Sequence, residues 1–154
     1  MLSGDAVGTL LGAHAMPALH AAGRSAANSV VSSPQLAALA EANGVRHHVT
    51  LTGFKWISRA PDLGFGYEEA LGYCVDPAAV RDKDGISASV RLAVLTSVLK
   101  QQGRTLQDLL NRLARDHGLH ATSPLSMRVE DLEIITSTMA VSYTHLTLPT
   151  SDLV

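Results

Sequence analysis

Apolar positions near the start of the chain recur at intervals of three and four, which predicts a helix. Val7, Leu10, Leu11, His14 and Ala18 fall on one face at that spacing. Ser3 is placed to cap it, and Asp5 lies in the first turn, where the helix dipole favours negative charge. Pro17 is expected to kink or shorten the far end. Asn28-Ser29-Val30-Val31-Ser32 then reads as a short buried strand. Ser33-Pro34 supplies a cap and a first-turn proline for a helix through Leu36, Leu39 and Ala40 that closes at Asn43-Gly44. The β-branched content of Val45 to Leu51 favours a second strand. Thr52-Gly53 turns the chain into a short helix, Phe54-Lys55-Trp56-Ile57, and Phe65-Gly66-Tyr67 makes a third strand ending at Glu68-Glu69.

Ile86 to Leu99 is apolar almost all the way round, which predicts a helix buried on more than one side. Gly103 ends it. Thr105 caps the next helix, with Leu106, Leu109, Leu110, Leu113 and Ala114 as its stripe and Gly118 as its stop. His120 to Val129 reads as extended, and Glu130 to Met139 as a last helix. From Val141 the character changes: threonine and leucine alternate, and a period of two nominates a strand. The string from Val141 to Val154 also resembles translated sequencing-adapter read-through, so it is expected to be a non-native tail without function. Strands alternating with helices predict an α/β layer fold with the sheet between helices. Ligands of such sheets gather at the carboxyl ends of the strands. Leu51-Thr52-Gly53 and Tyr67-Glu68-Glu69 are two such ends.

Composition narrows the class. A chain of 154 residues is about one domain. With 17% charged residues, 46% apolar ones and a net charge of −2, nothing draws it electrostatically to nucleic acid or an anionic membrane. The single cysteine, Cys74, has no intrachain partner, so a reducing cytoplasm is the simpler compartment. The start lacks the basic head and apolar core of a signal peptide, and no run of about 18 apolar residues is long enough to span a bilayer.

The candidate chemistry lies in Gly66-Tyr67-Glu68-Glu69-Ala70-Leu71-Gly72 and in Arg81-Asp82-Lys83-Asp84-Gly85. An ionised carboxylate accepts two hydroxyl protons at once, and two adjacent carboxylates also raise one pKa. The plainer reading is that Glu68 and Glu69 cap or solvate a loop. Asp82-Lys83-Asp84-Gly85 resembles the start of a calcium loop, but its glycine comes two positions early and Ala93 stands where the bidentate glutamate belongs. Asp84 fits better as a helix cap. His47 and His48 would point to opposite faces of a strand and cannot chelate together. His117 and His120 lack a carboxylate or cysteine at ligand spacing, so solvated side chains are expected rather than zinc ligands. Cys74 has no obvious base beside it, and Phe54 and Trp56 read as core.

Five segments together resemble the α-D-phosphohexomutase superfamily, the phosphoglucomutases and phosphomannomutases. They are Ser3-Gly4-Asp5-Ala6-Val7-Gly8, Val30-Val31-Ser32-Ser33, Thr52-Gly53-Phe54-Lys55-Trp56-Ile57, Phe65 to Tyr73, and Asp82-Lys83-Asp84-Gly85-Ile86-Ser87-Ala88, in the family's order and spacing. The branch with phosphopentomutase-like phosphoglucomutases is the nearest. The resemblance covers residues 1–120 as that family's third domain, with a mixed β-sheet between helices in three layers. Residues 121–140 resemble the passage to a fourth domain, and 141–154 remain the tail.

That family implies a reversible phosphoryl transfer between the 1-position and a terminal hydroxyl of an aldose phosphate, through a bisphosphate intermediate. A phosphoserine of the first domain donates, an aspartate-rich loop of the second holds Mg²⁺, the third grips the sugar, and the fourth binds the non-reacting phosphate. Thr-Ala-Ser-His-Asn-Pro, Asp-x-Asp-x-Asp-Arg and Arg-x-Ser-Gly-Thr motifs do not occur here. The resemblance therefore implies a fragment, without turnover or a cofactor of its own. Its partners would be a hexose or pentose phosphate and the other domains of the parent chain, with no nucleic acid and no membrane. Glu68 matches the glutamate that accepts from ring hydroxyls, with Glu69 and Gly72 in the same segment. Ala70 stands where a serine often makes a second contact. Lys83 matches a catalytic lysine tied to the reacting hydroxyl or phosphoryl oxygens, and Thr52, Gly53 and Lys55 match a loop near the sugar. A stand-alone α/β ligand-binding or interaction module is the other reading. The first reading requires Glu68 and Lys83 to converge at one rim of the sheet.

Overall fold

The computed structural model describes residues 1–123 and 128–145. It divides into two compact units, 1–122 and 123–154. In the first, α1 (Gly4–Ala21), β1 (Ser25–Ser29), α2 (Gln35–Ala42), β2 (Arg46–Thr50), α3 (Phe54–Ile57), β3 (Leu63–Glu68), β4 (Gly72–Cys74), α4 (Gly85–Gln101) and α5 (Leu106–His117) follow one another. The second contains α6 (Leu132–His145). No described helix is long and apolar enough to cross a membrane.

The sheet order is β2-β1-β3-β4. β1 pairs in parallel with both β2 and β3, and β4 closes the edge antiparallel to β3. Two hydrophobic clusters cover its faces. One joins Ala26, Phe65, Tyr67 and Tyr73 to residues of α1, α2, α4 and α5; the other joins Ala27 and Cys74 to Phe54 and Ile57 of α3. This is the α/β layer fold that the alternation of elements predicts, with the mixed sheet that the resemblance implies.

β1 runs from Ser25 to Ser29, not from Asn28 to Ser32, and Val30 and Val31 lie outside it, exposed. Central parallel strands are usually rich in Val, Ile and Leu. Here the central strand is Ser-Ala-Ala-Asn-Ser, buried throughout. The sequence pattern misses it because α1 lies very close to the sheet. A Cβ at Gly8 would fall 2.4 Å from the Tyr67 ring, and one at Gly12 would fall 2.5 Å from Leu36 and 3.2 Å from Phe65. The same closeness rotates the buried face of α1 away from the expected one: Leu10, Leu11, Met16 and Leu19 are buried, whereas His14 and Ala18 are exposed. Ser3 caps this helix through the Ala6 N–H (3.2 Å), and the helix continues past Pro17. The polar strand residues are satisfied, since Asn28 donates to the Ser33 carbonyl (3.0 Å) and bonds His47 through its own oxygen (2.7 Å).

α4 departs from expectation. Ala88, Leu95 and Leu99 are buried, but Ile86, Val90, Val94 and Val98 form an outward row at four-residue spacing, 81% to 41% exposed. An all-round apolar pattern reports side-chain chemistry, not which neighbours are present. α5 matches its stripe: Leu109 and Leu113 are buried, and Thr105 and Asp108 form a reciprocal capping box. Trp56 is 39% exposed whereas Phe54 is buried, so only one of these aromatics is core. α6 continues through Val141 to His145, where the alternating pattern suggested a strand; the remainder of that string lies outside the described residues.

Cys74 is fully buried, and burial, then the Asp76 carboxylate, pushes its thiol up to about 11. Iodoacetamide at pH 8 is therefore expected to leave the native chain unmodified by mass and to alkylate it promptly once urea unfolds it.

Candidate functional site

Because β1, β2 and β3 are parallel, their carboxyl ends lie at one edge of the sheet. That edge collects the Val30–Ser33 loop, the Leu51–Gly53 turn and the β3–β4 hairpin. Within the hairpin Glu68 pairs with Gly72 across the two strands. The absence of a side chain at 72 is occupied space: a Cβ there would lie 2.7 Å from Glu68 Cγ, 2.7 Å from Lys83 Cδ and 2.9 Å from Glu68 Oε1. Glu68 and Lys83 thus converge over one glycine.

Two hydrogen bonds of its neighbours hold Lys83 there. Arg81 Nε donates to the Ser58 carbonyl (2.8 Å), and the Asp84 N–H donates to the Tyr73 carbonyl of β4 (2.9 Å). Asp84 also caps α4 through the Ile86 N–H (3.0 Å). The Lys83 ammonium sits 4.9 Å from the centroid of the Phe54 ring and 3.4 Å from Asp82 Oδ1. The Lys83 N–H bonds the same Asp82 carboxylate (2.7 Å) and is the main reason that its pKa lies below the ordinary value. Among the described residues no group hydrogen-bonds the Glu68 carboxylate, and it makes no ion pair with Lys83.

The other residues of the pattern are placed differently. Glu69 turns inward: Oε2 accepts from Ser29 Oγ and Ser32 Oγ, each at 3.0 Å. Ala70 is exposed at the hairpin tip beside Leu71, which has φ 62° and is 68% exposed. Thr52 is exposed, and Gly53 takes φ 103° to start α3. Lys55 lies 5.7 Å from the Trp56 ring centroid, and Arg59 approaches the same ring at 5.7 Å. Left-handed backbone costs an L-residue roughly 1–2 kcal/mol, more than glycine's added unfolded-chain entropy of roughly 0.5–1 kcal/mol. Leu71→Gly is therefore expected to raise stability by roughly 0.5–1 kcal/mol in a urea melt.

A polar network beneath this rim carries no signal in the sequence beyond Asp5 as a first-turn acid. Asp5 is 8% exposed; Oδ1 accepts from the Ser33 N–H (2.8 Å) and the Tyr67 hydroxyl (2.9 Å), and Oδ2 from Thr122 Oγ1 (2.6 Å). Burial, then the Asp5 charge, raises the Tyr67 pKa far above the phenol's ordinary value, and the same causes push Tyr73 up to about 12. Tyr73 donates to the Gly4 carbonyl (3.0 Å). Clefts of about 260 and 480 Å³ lie among α1, α2, α4 and α5, and neither is lined by Glu68 or Lys83. Among the described residues no group of three or more His, Cys, Asp or Glu is placed to hold a metal ion.

Fold and rim define an α/β/α layer domain that carries a carboxylate and an ammonium together at the carboxyl edge of its sheet. Residues 3–117 match the family described as phosphoglucomutase/phosphomannomutase, alpha/beta/alpha domain III, and the chain belongs to that family. It is 43% identical over 134 residues to a Haemophilus influenzae protein named "Probable phosphomannomutase", covering 87% of this chain and 28% of that protein. It is 42% identical over 104 residues to the mouse phosphopentomutase, covering 62% of this chain and 17% of that protein. A solved phosphoglucomutase from Paramecium, parafusin in its open form, shares the fold with a TM-score of 0.61 over 77% of this chain and 22% of its own, at 20% identity. The chain thus spans less than a third of the length of these relatives.

Proposed function

We propose that the Glu68 and Lys83 corner binds the sugar of an aldose phosphate, within a mutase that interconverts 1-phospho and 6-phospho (or 5-phospho) sugars. The convergence of both side chains over Gly72, without an ion pair between them, carries this reading. An uncommitted carboxylate accepts from adjacent ring hydroxyls, and charge-assisted bonds of that kind are about twice as strong as neutral ones. The ammonium beside it, seated on Phe54, donates to phosphoryl oxygens or to the reacting hydroxyl as charge develops. In this reading a ligand bridges the two groups, which make no ion pair with each other. Thr52 and Gly53 of the neighbouring turn and Lys55 of α3 are the further sugar contacts that this reading assigns. In this reading the phosphoryl donor, the metal and the second wall are supplied by other parts of a longer polypeptide, and the chain alone is expected not to turn over substrate.

A chimera tests this. Residues 3–117 replace the matching segment of the Haemophilus influenzae relative, and interconversion of hexose 1- and 6-phosphates and of pentose 1- and 5-phosphates is measured. Mutase activity that depends on Glu68 and Lys83 supports the proposal. A folded chimera with activity indifferent to both residues contradicts it and favours an interaction module.

A further inference from the structure

The adjacent glutamates have opposite surroundings, and from that difference we infer that Glu69 is a positioning residue that locks the hairpin presenting Glu68, not a ligand for the sugar. This rests on the function proposed above and assigns a separate task within the same site.

Glu69 closes a ring of contacts between the end of β3 and the loop after β1. Its own N–H donates to Ser32 Oγ (3.2 Å), while its Oε2 accepts from Ser32 Oγ and Ser29 Oγ (3.0 Å each). The two serine oxygens are 2.7 Å apart, and both residues are buried, at 1% and 7% exposure. A carboxylate oxygen holding two buried hydroxyls is not available to a ligand unless those hydroxyls lose their partner. On the other side the Glu69 carbonyl presses on the start of α1, where a Cβ at Gly4 would lie 1.8 Å from it. The Tyr73 hydroxyl of β4 donates to the Gly4 carbonyl (3.0 Å), holding the hairpin's second strand against the same helix start. Glu69 therefore joins three pieces of chain: the β1 loop, the α1 start and the hairpin. The hairpin turn also holds Leu71 in left-handed backbone (φ 62°), a conformation that persists only where its surroundings impose it. Glu68, one residue before Glu69, is paired with Gly72 across that same hairpin. A shift of about 1 Å in a positioning element costs as much as 10²-fold in rate.

Two measurements test this. Hydrogen exchange on the 154-residue chain comes first, because it needs no catalysis. Glu69→Ala and the double variant Ser29→Ala/Ser32→Ala are each expected to speed exchange of the same amides, those of residues 69–72, by roughly tenfold or more, with Glu69→Gln close to the parent because its amide oxygen still accepts. Unchanged exchange in both overturns the lock, whatever becomes of the sugar-binding proposal. In the chimera, Glu69→Ala and the double serine variant are expected to lower kcat/KM by a similar factor, and their combination to lower it no further, as expected for one shared unit. Glu69→Ala added to Glu68→Ala should change kcat/KM less than twofold. A further tenfold loss in the serine or Glu68 background would make Glu69 a direct ligand and overturn the inference. If the chimera is inactive while exchange responds as expected, the lock stands and the sugar-binding proposal fails.

Discussion

Replacing Glu68 with alanine in the chimeric mutase is expected to lower kcat/KM by roughly 10²–10³-fold with little change in stability. Hydrogen bonds to a charged group contribute about 1.5–3 kcal/mol each, and two hydroxyls bonded to one carboxylate reach about 3–4 kcal/mol, or two to three powers of ten. Stability should hardly move, because among the described residues the carboxylate has no partner to lose. Lys83→Met should weaken the same step while leaving the hairpin in place. Steady-state kinetics beside a urea melt separates these effects: a loss of activity that follows a loss of stability would mean that Glu68 supports the fold instead.

The largest stability effect is expected at Asp5. Asp5→Ala removes the acceptor for the buried Ser33 N–H, the Tyr67 hydroxyl and the Thr122 hydroxyl. Tyr67 keeps a longer bond to the Ser33 carbonyl (3.4 Å), so the orphaned Ser33 N–H dominates the cost. A buried polar group left unpaired costs about 1–3 kcal/mol, and the lost charge-assisted bonds bring the expected total to about 3–4 kcal/mol. Natural domains have about 5–15 kcal/mol in all, so this variant should be mostly folded at 10 °C and far less so at 37 °C. Asp5→Asn keeps an oxygen acceptor and should lose less than half as much. The urea midpoint should fall with an unchanged slope.

Much of the fold was legible because its signals are local. The amphipathic stripe and Thr105 cap of α5 and the Asp84 cap of α4 each act within a few residues, whereas α2 has Pro34 rather than Ser33 at its N-cap. β1 was misplaced because its burial comes from a close helix, which selects alanine and serine over valine and isoleucine. β4 carries no signal in the pattern of positions, since three residues ending in Cys74 have no period. In the site, Glu68 and Lys83 could be singled out by charge in a glycine-bounded loop, and their approach over Gly72 needed only the hairpin pairing. Glu69 looked equivalent to Glu68 in the string. Its commitment to Ser29 and Ser32 depends on contacts forty and thirty-seven positions away, which no local pattern carries. Asp5 is the extreme case, with Tyr67 and Thr122 as partners far along the chain.

The most direct measurement of the central claim is a titration of the isotope-labelled chain with glucose 1-phosphate, followed by NMR at the backbone amides of 66–73 and 81–85 and at the Glu68 and Lys83 side chains, with inorganic phosphate as the comparison. The account predicts saturable shifts centred on Glu68, Gly72 and Lys83 for the sugar phosphate, with phosphate alone moving Lys83 only. Shifts confined to other parts of the fold, or an identical response to sugar phosphate and phosphate, would contradict it.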